Sequence, residues 1–341
     1  MKALRLVEER KLELQDVAAP PPPGPGEVQL RMRAVALNHI DVWGYRGMAF
    51  AKRELPITVG AEGVGEIAAI GADVTGLVTG QPAVLYGGRT CGVCRRCAAG
   101  RDNLCENVAG VMGFHIDGMA QQFLNIPARF VIPVPAGISI THAACAGITF
   151  STVEHMLFDN AKLERGETIL IHAAGSGIGT TAILMAKDLG CEVFTTASTD
   201  EKLEKAKALG ADHLINYKEQ RFETIVRRKT GKRGVDVVFE HTGPDTWAGS
   251  IFALSKGGRL VTCGSTTGVS AETNLYSVYQ QQLRIYGSFG ASIRNVADGL
   301  AKMARGLNPV IDSEYGIEDL EKGLARLASR DVFGKIVIQL P

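Results

Sequence analysis

Cys91, Cys94, Cys97 and Cys105 follow one another as Cys-x2-Cys-x2-Cys-x7-Cys. Four thiolates so spaced can close around one tetrahedral Zn2+, and a shell of four sulfurs leaves no position for water or substrate. The spacing therefore predicts one structural Zn2+ rather than a reacting metal. An iron–sulfur cluster is the competing reading, disfavoured by the long last gap and by the lack of a proline after Cys105; metal-free thiols are the other alternative. Arg89, Arg95, Arg96 and Arg101 lie nearby in sequence and could offset the charge of the thiolates. The odd total of seven cysteines fits a disulfide scaffold poorly. Of the other three, Cys191 and Cys263 fall in or beside predicted strands, and Cys145 stands apart.

A second pattern is the turn Ala174-Gly175-Ser176-Gly177-Ile178-Gly179. It follows an apolar strand and opens a helix, which is the order a dinucleotide site needs: the backbone approaches the pyrophosphate closely, and the helix N-terminus offers amides and partial positive charge. Ala174 and Ser176 replace the first two glycines of G-x-G-x-x-G, so the motif is weak alone and gains from its context. The next strand would carry Asp or Glu at its tip in an NAD site. Here Ala197-Ser198-Thr199 stands there with Lys202 one turn on, so no carboxylate repels a 2′-phosphate and NADPH is expected. The bland reading is that Ser198, Thr199 or Asp200 caps a helix and Lys202 is a solvated lysine.

The elements that must position these residues change texture near residue 139. The first part alternates short apolar runs, such as Val28–Met32 and Val64–Ile70, with glycine and proline, and reads as β-rich. A helix candidate spans Ser139 to Asn160, with Ser139 or Thr141 as N-cap. Beyond it strands at 168–173, 192–196, 213–215, 235–240, 259–263 and 284–287 alternate with helices at 177–189, 200–209, 221–230, 245–255 and 272–282. That rhythm predicts an α/β fold with a doubly wound parallel sheet. Residues 291–341 carry two short helices and a last strand from Lys335, which either extends the parallel sheet or returns to the first domain.

Composition narrows the partners. Net charge is +1, from 37 basic and 36 acidic side chains, so nucleic acid and anionic membrane have no electrostatic claim. No apolar run approaches the ~18 residues of a membrane span. Residues 1–9 turn charged too early for a signal peptide, and a cytoplasmic protein is expected. The 40 glycines in 341 residues exceed the usual ~7%.

Taken together, Gly60-Ala61-Glu62-Gly63-Val64-Gly65, the cysteine loop, the Ala174–Gly179 turn, Leu209–Tyr217, Gly234–Glu240 and Gly334-Lys335-Ile336-Val337 resemble the medium-chain dehydrogenase/reductase superfamily of zinc alcohol dehydrogenases and quinone oxidoreductases. The resemblance covers nearly the whole chain. It implies a GroES-like β-rich catalytic domain over 1–138, partly rejoined by 291–341, and a Rossmann cofactor domain over 139–290. It also implies a homodimer or homotetramer built through the cofactor domains.

The departures from that family point to its chemistry. Zinc alcohol dehydrogenases take catalytic ligands from Cys-His-x-Asp and Gly-His-Glu segments. Here these read Asn38-His39-Ile40-Asp41 and Gly60-Ala61-Glu62, and neither Asn38 nor Ala61 can replace a thiolate or an imidazole. The third ligand position falls on Cys145 by one alignment and on Ile148 by another. A site rebuilt from His39, Glu62 and Cys145 is the minor alternative. Loss of the catalytic zinc beside an NADPH-type pocket resembles the quinone oxidoreductase and enoyl reductase branch. That resemblance implies that Ser198, Lys202 and Tyr217 hold the 2′-phosphate end and that Gly177, Ile178 and Gly179, with Gly175 and Ser176 in the same turn, hold the pyrophosphate. It places Thr152, Gly264, Ser265, Phe289 and Gly290 near the nicotinamide. Tyr217 could instead only pack, and Phe289 could be a core residue. The expected reaction is hydride transfer from NADPH to a quinone or to the C=C of an α,β-unsaturated carbonyl. Asn38 would donate an amide N–H to the substrate oxygen and Asp41 would orient neighbours or the nicotinamide ribose, unless both simply satisfy a loop. The alternatives are an alcohol dehydrogenase with a non-standard metal site and an NADPH-binding protein with a structural or RNA-binding role.

Overall fold

Val28, Leu30, Met32 and Ala34 alternate with polar Gln29, Arg31 and Arg33, and all four apolar side chains are fully buried. This period of two makes Glu27–Ala36 the long central strand of a seven-stranded sheet. The computed structural model describes residues 1–48 and 53–341. They form two units, Met1–Ser151 with Ala291–Pro341, and Thr152–Gly290.

In the first unit Glu27–Ala36 pairs antiparallel with Gly63–Ile70, which pairs with Pro82–Leu85 and then Val131–Pro133. Its other edge is shared. Phe123–Pro127 covers residues 27–31, and Lys335–Gln339 covers residues 34–36. The last strand thus returns to the first unit. Beside it lies a parallel strand, Ile311–Gly316, which the sequence reading leaves out because Asp312, Ser313 and Glu314 interrupt any apolar alternation. The first unit also reaches Ser151 instead of ending at 138. The reason is local: the amides of Ile148 and Thr149 bond to Glu62, at 2.6 and 2.7 Å. The expected helix from 139 to 160 is broken into turns: α-helical Ile140–Ala143 and Ser151–Glu154 alternate with π-helical Ala146–Phe150 and His155–Asn160. Ser139 caps it through a bond from His142 N.

The second unit holds a six-stranded sheet in the spatial order His213–Asn216, Glu192–Ala197, Thr168–Ile171, Val235–Glu240, Leu254–Thr262 and Arg284–Gly287. Every neighbouring pair is parallel. Helices Gly177–Leu189, Asp200–Ala208, Phe222–Lys229 and Pro244–Ala253 connect the strands. Leu170, Phe194, Val238 and Leu260 form the core on one side of the sheet, with Phe222, Val226 and Ile251 from two helices. Strands buried by helices in this way read as continuous apolar runs. Except for Thr152, which precedes the sheet in the helical turn Ser151–Glu154, the phosphate and nicotinamide candidates follow the carboxyl ends of these strands, the edge where open α/β sheets bind ligands.

Candidate active site and zinc lobe

The four cysteine sulfurs lie within 4.8 Å of one another and are the one group of at least three potential metal-ligating side chains found among the described residues. Cys94 and Cys97 Sγ are 3.6 Å apart, as are Cys91 and Cys105 Sγ. A tetrahedron of Zn–S bonds near 2.3 Å has edges of about 3.8 Å, so the spacing suits zinc. The local fold suits thiolates at Cys91 and Cys94, while burial pushes the Cys97 thiol up to about 12. The amides of Cys91 and Asn107 point at Cys105 Sγ, and that of Cys94 at Cys91 Sγ. Backbone N–H groups, first those of Glu106 and Cys97, pull the Cys94 thiol down to about 6. Of the nearby arginines, Arg95 pairs with Glu106 at 2.6 Å.

Glu62 is the hub of the first unit. Its side chain is wholly buried, and five donors surround its two oxygens. The amides of Ile148 and Thr149 bond Oε1. Oε2 takes Asn38 Nδ2 at 2.9 Å, Thr149 Oγ1 at 3.1 Å and Lys335 Nζ at 3.1 Å. Lys335 is 3% exposed, and its ammonium also donates to Leu37 O at 2.7 Å and Asn38 Oδ1 at 2.8 Å. A charge this deep is tolerated only when paired and fully hydrogen-bonded, and here both charges are.

This geometry corrects one expectation. Asn38 Nδ2 has two hydrogens, and Ala36 O and Glu62 Oε2 take them. None is left for a substrate oxygen, and Asn38 instead braces Glu62 and the Ala36 carbonyl. Asp41 does orient neighbours: Oδ2 accepts from Asn38 N at 2.8 Å and Oδ1 from Ala61 N at 3.2 Å. It lies in the first turn of helix His39–Arg46, where a carboxylate bonds the orphan amide at the cap. Burial pushes its carboxyl up to about 6. Cys145 is fully buried, its thiol pushed up by desolvation, and it points to Thr141 O at 3.7 Å. The trio His39, Glu62 and Cys145 is not among the potential ligand groups of the described residues. Thr149 and Lys335 are the partners that sequence reasoning missed. Lys335 carried a signal, as a lone lysine in the apolar run Ile336-Val337-Ile338, where an unpaired charge would not stay buried.

In the second unit Ser176 caps helix Gly177–Leu189, its Oγ accepting from Gly179 N at 2.9 Å. The amides of Gly177 and Ile178 stand at the open end, where no intrahelical carbonyl reaches them. A Cβ on Gly179 would lie 2.4 Å from Ala173 O and 2.8 Å from Ser176 Oγ, so only glycine fits. The turn thus has the close backbone and free amides a pyrophosphate needs. Tyr217 N bonds Ala197 O, which sets Ser198 and half-exposed Tyr217 side by side at adjacent strand ends. Thr199 is the cap of helix Asp200–Ala208, bonding Lys202 N, and Asp200 accepts from Asn216 Nδ2 at 3.0 Å. Gly264 and Ser265 follow Leu254–Thr262, and Phe289 and Gly290 follow Arg284–Gly287. Phe289 is 71% exposed and is no core residue, whereas Thr152 is buried.

Comparison with known proteins agrees with this architecture. A family model described as alcohol dehydrogenase GroES-like domain matches residues 24–136, and one described as zinc-binding dehydrogenase matches 177–305. An L-threonine 3-dehydrogenase from Photobacterium profundum is 30% identical over 93% of both chains. A crystal structure of an NAD-dependent alcohol dehydrogenase is 37% identical and superposes over the whole of both chains with a TM-score of 0.95. The alcohol dehydrogenase of Aeropyrum pernix is 28% identical, with a TM-score of 0.90 over 99% of this chain and 100% of its own. The chain belongs to the medium-chain dehydrogenase/reductase superfamily, among its zinc alcohol dehydrogenase-like oxidoreductases.

Proposed function

We propose that the protein is an NADPH-dependent oxidoreductase acting on a quinone or on the C=C of an α,β-unsaturated carbonyl, with zinc confined to the cysteine lobe. One observation carries this reading. The carboxylate of Glu62, the oxygen of Asn38 and the ammonium of Lys335 satisfy one another. A site that binds a Lewis-acid metal presents lone pairs, normally on three protein ligands. This cluster presents an amide and an ammonium whose hydrogens already occupy the carboxylate, and Ala61 adds no donor side chain.

An acceptor that is already polarised can take hydride with hydrogen-bonding help alone. Bound NADPH would supply that hydride. The residues of the second unit would hold it: Gly177, Ile178 and Gly179 at the pyrophosphate, with Gly175 and Ser176 shaping the turn, and Ser198, Lys202 and Tyr217 at the 2′-phosphate. Thr152, Gly264, Ser265, Phe289 and Gly290 would line the nicotinamide end. In the first unit Asn38 braces Glu62 and Asp41 orients its neighbours, and solvent supplies the proton. The phosphate preference rests on the strand tip: its nearest carboxylate, Asp200, is engaged by Asn216.

A second reading, an alcohol dehydrogenase using NAD, is favoured by the names of the similar proteins. A panel of quinones, enones and simple alcohols, run with NADPH and NADH alongside a zinc determination, separates the two. One zinc per chain and faster enone or quinone reduction with NADPH are expected. Two tightly held zincs with alcohol oxidation by NAD would overturn the proposal. Cofactor binding without turnover of any substrate would point to a non-catalytic role.

A further inference from the structure

His172 stands two residues before the glycine turn, and its side chain is wholly buried. Two side chains bond its ring and a third bonds its carbonyl. Its Nδ1 lies 3.1 Å from Thr196 Oγ1, on the neighbouring strand Glu192–Ala197. Its Nε2 lies 2.9 Å from Ser250 Oγ, on helix Pro244–Ala253. Ser250 Oγ donates to Glu240 Oε2 at 2.8 Å. Thr196 Oγ1 accepts from Ala173 N at 3.2 Å. His241 Nε2 bonds the carbonyl of His172 itself at 2.9 Å.

These bonds allow one direction of donation. The hydroxyl hydrogen of Ser250 goes to Glu240, so Ser250 Oγ must accept from His172 Nε2. A neutral imidazole then has Nδ1 as acceptor, and it takes the hydroxyl hydrogen of Thr196. Thr196 Oγ1 in turn accepts the amide of Ala173. The relay runs Ala173 N–H to Thr196 to His172 to Ser250 to Glu240, with a hydrogen at every link. Burial keeps His172 below its ordinary value, consistent with the neutral ring. Glu240 anchors the far end. Its Oε1 accepts the amides of Thr242 and Gly243, at 2.6 and 3.1 Å, and Thr246 Oγ1 spans both of its oxygens.

The two ends of the relay are backbone loops at the carboxyl edge of the sheet. One is the turn itself. Ala173 has φ +50°, a left-handed conformation unusual for a residue with a Cβ. Its amide is fixed by Thr196 and its carbonyl accepts from Ser176 N. The other end is the 241–243 segment, where Gly243 has φ +105°. A sheet core needs no buried polar chain for stability, and apolar residues would fill this volume more cheaply. What a fully satisfied chain supplies is a unique geometry.

We propose that His172 is a positioning residue for the dinucleotide: through Thr196 it holds the phosphate turn at Ala173, and through Ser250 and Glu240 it ties that turn to the 241–243 segment. This rests on the nucleotide-binding reading above. His172 touches no ligand itself. Its effect falls on the pyrophosphate, which sits on the turn, and spares the adenosine end, which is held one strand away by Ser198, Lys202 and Tyr217.

The test is a binding titration. Wild type is titrated with NADPH and NADH, which settles the cofactor first. His172→Phe and Ser250→Ala are then titrated with the preferred dinucleotide and with an adenosine fragment that lacks the pyrophosphate (adenosine 2′-monophosphate for NADPH, adenosine for NADH). Ser250→Ala removes one link with little change of volume and serves if His172→Phe does not fold. The expected result is a dinucleotide dissociation constant weakened about tenfold, with fragment binding within about twofold of wild type. Variants that bind the dinucleotide as wild type does overturn the proposal. So does parallel weakening of both ligands, which would make the relay a mere prop of the fold. A wild type that binds neither dinucleotide removes the nucleotide reading itself, and this inference with it.

Discussion

The buried pair Lys335–Glu62 shows how much one side chain determines here. Breaking a buried pair by removing one partner typically costs about 3–5 kcal/mol, because the other charge is left uncompensated. Lys335→Met should therefore lower unfolding free energy by roughly that amount. Adding Glu62→Gln should recover part of the loss, a non-additivity that a double-mutant cycle in urea would measure. Asp41 makes a second prediction, through pH. Its native value of about 6 lies above the ordinary carboxylate value. Between the two, the folded chain holds a proton that the unfolded chain has released, so stability falls as pH rises from about 4 to about 6 and is level above. At about 1.4 kcal/mol per unit, the span is about 3 kcal/mol. Asp41→Asn cannot ionise, and its single side-chain oxygen keeps an acceptor for one of the two amides. Its stability relative to wild type should rise by about that amount between pH 4 and pH 7. Denaturant titrations at the two ends of the window check this, and an unchanged difference would show that Asp41 ionises freely.

At the scale of elements, the zinc lobe and the glycine turn are each held by backbone geometry that one substitution disturbs. Gly179→Ala puts a Cβ 2.4 Å from Ala173 O. Either the helix start or the turn must shift, and dinucleotide affinity should fall about tenfold or more, as read by a fluorescence titration. Chelation of the metal, or Cys97→Ser, should lower the melting temperature and open residues 89–110 to limited proteolysis. A chelated protein with an unchanged melting curve would count against a zinc there. Both elements were legible in the sequence for the same reason: short-range chemistry repeats at fixed spacing. The strand 235–240 and the helix 177–189 were equally plain, because apolar runs between turn residues mark them. What the sequence hid is long-range. Lys335 reaches Glu62 and Asn38 across some three hundred residues, and no local pattern announces that contact. The same contact explains why the sequence suggests Asn38 as a donor to substrate while the structure engages both of its amide hydrogens. The π-helical turns between 146 and 160 were hidden too, since their sequence is as apolar and periodic as an ordinary helix.

At the scale of the molecule, the division into two units followed from the switch of apolar period near residue 139, while the exact boundary at Ser151 depended on the Glu62 hub. What the second unit leaves uncovered bears on assembly. Strand Arg284–Gly287 is the last in its sheet, and its outer edge has no partner strand among the described residues. An open edge is normally blunted or paired. Around it, Leu275, Tyr276 and Tyr279 on helix Leu275–Gln280 are 57–72% exposed, and Ile285 and Phe289 are exposed as well. Exposed apolar side chains gathered on neighbouring stretches of chain are candidates for an interaction site. A second copy related by a two-fold axis offers the complement, since an isologous contact sets the same patch against itself and pairs the two edges. We expect a dimer in sedimentation equilibrium at micromolar concentration. Ile285→Lys with Tyr279→Lys should shift it to monomer while leaving the fold intact by circular dichroism, because both side chains face outward. A wild type that stays monomeric, or a double variant that stays dimeric, would place the self-association elsewhere or remove it. The apolar patch, and not the cysteine lobe or the Glu62 hub, is the surface this prediction commits to.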